Sequence, residues 1–226
     1  MIERSEGLWT IDHPLRVGPM PLGTRTTLVR LASGDLCIHS PGPLGDGIRE
    51  EIEQRGRVAA LVAPNCLHHL FLSENAAAWP GAKIFLAPGL QAKLGDLAAT
   101  EILGESAPEI WSGVLDQLVV DGAPRMGEVA FLHRASRTLL LTDLVFNIRQ
   151  RPPGLARWIM AANGMVGHFG PSRVARTLFF RDRRALRATV DRILGWDFDR
   201  VIMNHGEVVE SGGRSLLEEA FAFLRT

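Results

Sequence analysis

Three polar sites sit where apolar runs end. The stretch "APNCLHHLFL", Ala63 to Leu72, places His68 and His69 after the apolar run Val58 to Val62. Asp143 follows Leu139 to Leu141 in "LLLTDLVFN", and His205 follows Val201 to Met203 in "WDFDRVIMNHG". A strand holds such a group rigidly while the loop after it exposes the group. Imidazoles and a carboxylate are also donors that zinc, iron or manganese accept. Each residue alone carries little weight, because a lone histidine in an apolar setting is more often a core or surface residue. Together, on three strand ends, they point to one shared site.

The neighbours of these residues have plainer readings beside the functional ones. Cys66 reads first as a small buried hydrophobe, with thiolate ligation as the alternative. Cys37 lies inside a hairpin strand and reads as core. His39 and Ser40 leave the first hairpin as Asp143 leaves the second; a structural role is the plainer reading and lining the site the other. Asn65 and Asn204 each come just before a candidate ligand, where an amide hydrogen bond would orient an imidazole. His168, in "VGHFG", falls between helical segments, and capping a pocket is its functional reading. His13 and His133 read as surface or strand-edge residues. The chain carries no Gly-x-Ser-x-Gly elbow, no Walker-type phosphate loop and no Cys-x-x-Cys.

Short strands and helices must position these groups. Leu8 to Ile11 and Thr26 to Leu31 have strand content, and Ser33-Gly34-Asp35 turns the chain into Leu36 to His39, giving a hairpin. A helix is expected over Asp46 to Gln54, after Pro41, Pro43 and Gly45. Val58 to Val62 reads as a buried strand. A helical segment then runs up to Pro80-Gly81, followed by a strand at Lys83 to Leu86 and a helix over Pro88 to Thr100. Leu115 to Val120, Glu128 to Leu132 and Thr138 to Thr142 read as strands. "VRLASGDLCIHS" and "FLHRASRTLLLTD" share a strand, an Ala-Ser turn, a strand and a polar exit, a weak echo of two similar halves. Helices are expected over Leu155 to Ala162, Pro171 to Phe180 and Arg184 to Leu194. A strand at Arg200 to Met203 and a helix from Ser215 to Leu224 close the chain.

Composition limits the function classes. The 226 residues fit one domain spanning 1–226, with 46% hydrophobic residues to build a core. Lys+Arg and Asp+Glu are 25 each, so net charge gives no case for nucleic acid or an anionic membrane as partner. Basic residues are almost all arginine; Lys83 and Lys93 are the only lysines. Two cysteines make no disulfide framework. No segment reads as a signal peptide, and no apolar run reaches the ~18 residues of a membrane span. A soluble cytoplasmic protein is expected. The apolar stretch "ARWIMAANGMVGHFG" reads as core, pocket wall or the face of a homodimer.

The order strand–His-His–helix, strand–Thr-Asp and strand–Asn-His-Gly resembles the metallo-β-lactamase superfamily. More narrowly, "APNCLHHLFL", "LLLTDLVFN" and "WDFDRVIMNHG" look like its uncharacterised branch, domain-of-unknown-function family 4336. The resemblance covers nearly the whole chain and implies an α+β fold, a four-layer αββα sandwich. The superfamily's first motif is His-x-His-x-Asp-His. With its Asp-His end on His68-His69, the two upstream histidine positions fall on Pro64 and Cys66. The histidine after a glycine falls on Glu128, the bridging aspartate on Asp143 and the last histidine on His205. The resemblance therefore implies that one metal position, now Pro64, Cys66 and Glu128, has lost its ligands. The other keeps His68, His69, Asp143 and His205.

The resemblance further implies one divalent metal, zinc before iron or manganese. It would activate water for attack on an ester, amide, thioester or phosphoester of an unidentified small molecule. Asp143 is then ligand and water-orienting group, and Glu128 ligand or general base. Successive helical residues point ~100° apart, so His68 and His69 meet on one ion only if the first lies in the loop or at the helix start. Otherwise one imidazole turns away and Glu128 supplies an oxygen. The alternative is a catalytically inactive protein of this fold with a binding or scaffold role. A redox iron protein is a third reading.

Overall fold

The computed structural model describes residues 1–95, 97 and 101–225. The first half of the chain contains strands β1 (Ile2–Ser5), β2 (Leu8–His13), β3 (Arg16–Val17), β4 (Met20–Pro21), β5 (Thr24–Arg30), β6 (Leu36–His39), β7 (Val58–Ala63), β8 (Lys83–Leu86) and β9 (Glu101–Ile102). Helices α1 (Ile48–Glu53) and α2 (Leu72–Ala78) interrupt them. The second half contains β10 (Leu115–Val119), β11 (Val129–His133), β12 (Thr138–Leu140), α3 (Gly154–Ala162), α4 (Arg183–Leu194), β13 (Arg200–Ile202) and α5 (Gly213–Ala220).

Side-chain alternation sorts these elements into layers. Seven strands form one sheet, ordered β1-β2-β5-β6-β7-β8-β9, and four form a second, ordered β10-β11-β12-β13. Successive residues of a strand face opposite sides. On β7, Ala60 and Val62 meet Phe131 and Leu140 of the second sheet, while Leu61 and Ala63 pack with Ile52 and Leu72 from the helical side. On β11, Val129 and Phe131 face the first sheet, while Ala130 and Leu132 pack with Leu186, Val190 and Leu217 of α4 and α5. The three cores lie helix to sheet, sheet to sheet and sheet to helix, which is the four-layer α+β sandwich that the resemblance implied.

The echo between the two halves has a structural counterpart. Hairpin β5–β6 and hairpin β11–β12 are both antiparallel, and each second strand pairs in parallel with a later strand, β6 with β7 and β12 with β13. Both turns place a residue in left-handed conformation, Gly34 (φ 87°) in the first and Arg137 (φ 51°) in the second. The two exits, Ser40 and Asp143, and the loops after the two parallel partners, with His68 and His205, all come to one end of the sandwich.

Several expectations need correction. The helix over Pro88 to Thr100 is reduced to a single 3-10 turn at Gln91–Lys93, and its residues 96 and 98–100 lie outside the described residues. The helix over Pro171 to Phe180 contains a π-helical segment, Ala175–Phe179, whose wider turn seats Ala175 in the core and leaves Val174 and Leu178 exposed. The stretch from Ala156 to Gly170 is divided. Met160 and Met165 join Phe146 and Ile148 in a small fourth core, while Trp158 is 69% exposed. Among the described residues no helix is long and apolar enough to cross a membrane.

Candidate metal centre

Three of the four expected ligand side chains converge. His68 Nε2 lies 3.2 Å from Asp143 Oδ2, and His205 Nε2 lies 3.2 Å from Asp143 Oδ1. The two Nε2 atoms are themselves 3.2 Å apart. Adjacent donors of a tetrahedral ion with bonds of about 2.0 Å are separated by roughly 3.3 Å, which the pair of Nε2 atoms matches, and one donor atom from each residue lies within 4.8 Å of the others.

The surroundings fix what each group presents. His205 Nδ1 is 2.7 Å from the carbonyl oxygen of Gly23, a pure acceptor, so Nδ1 carries the proton and donates it. Nε2 faces a carboxylate oxygen of Asp143, and in the neutral form of the ring it presents its lone pair there. Two acceptors at that distance repel unless a cation, proton or metal, lies between them. Phe146 stacks on the same ring at 5.3 Å and 10°. Gly206 follows at φ 95°, and a Cβ there would stand 2.2 Å from the carbonyl oxygen of Asn147, so only glycine lets the chain turn directly after the ligand.

His68 is held from Nδ1. Ser40 Oγ is 3.0 Å away and the Asn204 amide 2.8 Å, and Asn204 also hydrogen-bonds Ser40. When Ser40 accepts from Nδ1, Nε2 is bare toward the centre; when the amide donates to Nδ1, Nε2 carries its proton toward Asp143. Ser40 reaches this position from a left-handed backbone, φ 54°, an uncommon conformation for a residue other than glycine. Asn204 thus orients the imidazole of His68 and not that of its neighbour His205.

Asp143 is gripped from two sides. The Asn65 amide donates to its Oδ2 at 2.7 Å and to Thr142 Oγ1 at 2.8 Å. Asn65 Oδ1 accepts from the backbone N–H groups of Leu67 and His68. One buried amide therefore ties the His68 loop to the Asp143 loop. Burial works against the Asp143 charge, but the neighbouring His68 and His205, with their hydrogen bonds, hold its carboxyl well below the usual carboxylate range.

His69 and Glu128 stand apart from the three converging side chains. The His69 imidazole is not part of the converging group, and its buried Nδ1 has no partner. The turn that Asn65 starts at Leu67 and His68 leads toward α2, and consecutive side chains there point apart. Glu128 is fully buried, and its carboxylate accepts from the backbone N–H groups of Thr142, Asp143 and Leu144 at 2.8–2.9 Å. In this arrangement it supports the loop that carries Asp143. Burial and the Asp143 charge push its pKa up to about 7, against the pull of those amides. Cys66 is also outside the centre; its thiol points to the carbonyl of Pro88, and burial pushes its pKa up.

Sequence reasoning missed the hold on the His205 loop. Arg25, 5% exposed, donates to the carbonyls of Met203 (2.5 Å) and Gly206 (2.7 Å) and pairs with Asp12 at 2.6 Å. Its only sequence signal is an arginine among the threonines that open a strand-like run. His168 lines a separate cavity of about 430 Å³ with Arg149 and Arg176, away from the three converging side chains.

Comparison with solved structures shows the fold. A metallo-β-lactamase from Pontibacter korlensis superposes with a TM-score of 0.67 at 12% identity, covering 98% of this chain and 96% of its own. The mono-zinc form of the metallo-β-lactamase FIM-1 from Pseudomonas aeruginosa gives 0.63 at 13%, covering 99% and 93%. The metal-soaked Flv1 flavodiiron core from Synechocystis gives 0.67 at 13%, covering 97% of this chain and 59% of that one. No curated protein sequence matches. The fold is that of the metallo-β-lactamases, and His68, Asp143 and His205 bring metal-ligating atoms within 4.8 Å of one another. Residues 5–168, well over half of the chain, match the family described as domain of unknown function (DUF4336), and the chain belongs to that family.

Proposed function

We propose that the protein is a metal-dependent hydrolase with one divalent cation, zinc, held by His68, Asp143 and His205. The observation that carries this reading is the convergence of the Nε2 atoms of His68 and His205 on the Asp143 carboxylate, each at 3.2 Å. Three protein donors with a fourth position left over is the pattern of catalytic zinc, whereas structural sites close all four. When bound, such a cation lowers the pKa of its water toward ~7 and polarises an acyl or phosphoryl oxygen.

The chain's own groups divide the remaining work. The Gly23 carbonyl keeps a proton of His205 on Nδ1, and Ser40 with Asn204 orients the His68 ring from its Nδ1 side. Asn65 orients the Asp143 carboxylate, and Glu128 fixes the backbone beneath it. A single ion is supported over two, because the positions matching the superfamily's other ligands are committed elsewhere. Pro64 offers only a carbonyl, which accepts from Val129; Cys66 faces Pro88; Glu128 accepts from three backbone amides. That same replacement favours the second reading, a catalytically silent fold with a binding role.

Elemental analysis of protein purified without a histidine tag separates the two. The expected result is one zinc per chain, lost in Asp143→Ala and His205→Ala, with hydrolysis of ester, thioester or phosphoester panels that tracks zinc content. Metal well below one per chain after supplementation with zinc, manganese and iron defeats the hydrolase reading and leaves the silent fold. Iron in place of zinc redirects it to redox chemistry.

A further inference from the structure

A cavity of about 730 Å³ lies directly behind the His205 loop. Asn204 and Gly206 line it, but His68, Asp143 and His205 do not. Its volume is within the range of small-molecule sites, roughly 300–1,000 Å³. Leu22, Ile148 and Val208 give it apolar walls. His13 and Arg25, both more than nine-tenths buried, form its inner side.

The charges around the cavity do not cancel. Arg25 is neutralised by Asp12 at 2.6 Å, and Arg4 by Glu210 at 2.8 Å, with Arg200 on the other oxygen of Glu210. His13 is engaged with Thr26 Oγ1 at 3.0 Å. Arg149 and Arg151, at the rim, make no side-chain ion pair or hydrogen bond among the described residues. Among the described residues Glu207 is the one lining carboxylate without an ion pair, leaving two free guanidinium groups against one carboxylate. Pro152 and Pro153 come directly after Arg151. A proline fixes its own φ and biases the residue before it to extended backbone, so the backbone of the Arg151 rim is stiff and loses little freedom on binding. Guanidinium groups pair with carboxylates and phosphates through two parallel hydrogen bonds.

We propose that this cavity binds an organic anion, with its carboxylate or phosphoryl group on Arg149 and Arg151 and an apolar body against Leu22, Ile148 and Val208. The site is built from side chains separate from the three converging ligands and does not depend on a metal being present. A ligand seated there contacts Asn204 and Gly206 on either side of His205, so it is placed next to the reacting centre of the function proposed above.

Calorimetric titration of the whole chain tests this, after chelator treatment and again with zinc added. The probes are 2-naphthoate, phenylphosphonate and the neutral 2-naphthamide. At least one anion is expected to bind tenfold or more tightly than the amide in both forms of the protein. The preference of one anion over the other tells carboxylate from phosphoryl ligands. Arg149→Gln with Arg151→Gln is expected to abolish the advantage of the anion; both residues are exposed, so circular dichroism should match the parent. Binding of neither anion, equal binding of amide and anions, or a preference that survives the double variant overturns the assignment. Anion binding seen only with zinc overturns it too, since the anion then sits on the metal. A chain that takes up no metal but still binds the anion refutes the hydrolase reading and leaves this one standing.

Discussion

A carbonyl oxygen 2.7 Å from Nδ1 fixes a proton of the His205 imidazole on that nitrogen and turns Nε2 toward Asp143. The same logic distinguishes the adjacent histidines. His68 has donors and acceptors at both nitrogens, whereas His69 has a buried Nδ1 with no partner and an imidazole whose pKa is lowered by burial, with Lys93 and His68 adding to it. His68→Ala is therefore expected to weaken zinc binding by more than about 100-fold, and His69→Ala by less than about threefold, in chelator-competition titrations. Equal losses would return His69 to the ligand set. His39 gives a prediction independent of any metal. It is 2% exposed with neither ring nitrogen partnered, its ring edge-on to Phe131 at 5.3 Å, and burial, followed by the His68 charge, holds its pKa down at about 3. The unfolded chain takes up this proton near the ordinary pKa of ~6.5, while the folded chain resists it down to about 3. Between those values the unfolded state binds more protons, so stability falls as pH falls through 6.5. From this group alone urea unfolding should lose about 2 kcal/mol between pH 8 and pH 5, and His39→Leu should remove that part of the loss. An unchanged pH dependence in the variant would show that His39 is protonated in the fold.

At the scale of elements, the ends of strands carry the site and a neighbouring strand holds the ends in place. The segment Gly23 to Arg25, at the start of β5, touches the His205 loop three times: the Gly23 carbonyl on Nδ1, and the Arg25 guanidinium on the carbonyls of Met203 and Gly206. Arg25→Met leaves those carbonyls without a buried donor, and Arg25→Lys presents one compact ammonium in place of a fork. Zinc affinity should fall by about 10–100-fold in Arg25→Met and by less in Arg25→Lys, with secondary structure retained. Unchanged affinity in Arg25→Met would mean that β5 does not position the ligand. These elements also show what the sequence could reveal. Lys83 to Leu86 matches β8 to the residue, and Val58 to Val62 lies within β7, because short apolar runs between turn signals have few other conformations open to them. The three converging side chains were visible as polar exits from such runs. The clamp was not visible, because residues 178 and 181 positions apart leave no periodic mark on each other. Nor was the role of Glu128, which reads as a free carboxylate until three amides of a distant loop are seen to close on it. The helix expected near Pro88 failed for a related reason, since helical composition there outweighed the turn that Pro88 and Gly89 impose, Gly89 being at φ 83°.

At the scale of the molecule, the proposed ligands come from both sheets. His68 lies after β7 of the seven-stranded sheet, while Asp143 and His205 lie after β12 and β13 of the four-stranded one. The three are therefore close only when the sandwich is closed, with sequence separations of 75 and 62 residues between successive ligands. An unfolded chain cannot reproduce that triangle, so a cation binds the folded state and draws the folding equilibrium with it. At free zinc about 1,000 times the dissociation constant, linkage adds ~4 kcal/mol of stability. For a chain of this size each kcal/mol raises the melting temperature by about 2–4 °C. Zinc is thus expected to raise the calorimetric melting temperature by about 10 °C, with chelator reversing the shift and His205→Ala abolishing it. Glu128→Gln separates this linkage from simple fold stability. Its amide nitrogen cannot accept from the Thr142 to Leu144 N–H groups, so the zinc-free protein should already melt lower. A smaller zinc-induced rise should accompany that loss, because the loop bearing Asp143 is less well held. A full 10 °C rise on the lowered baseline would show that Glu128 stabilises the fold without preparing the centre.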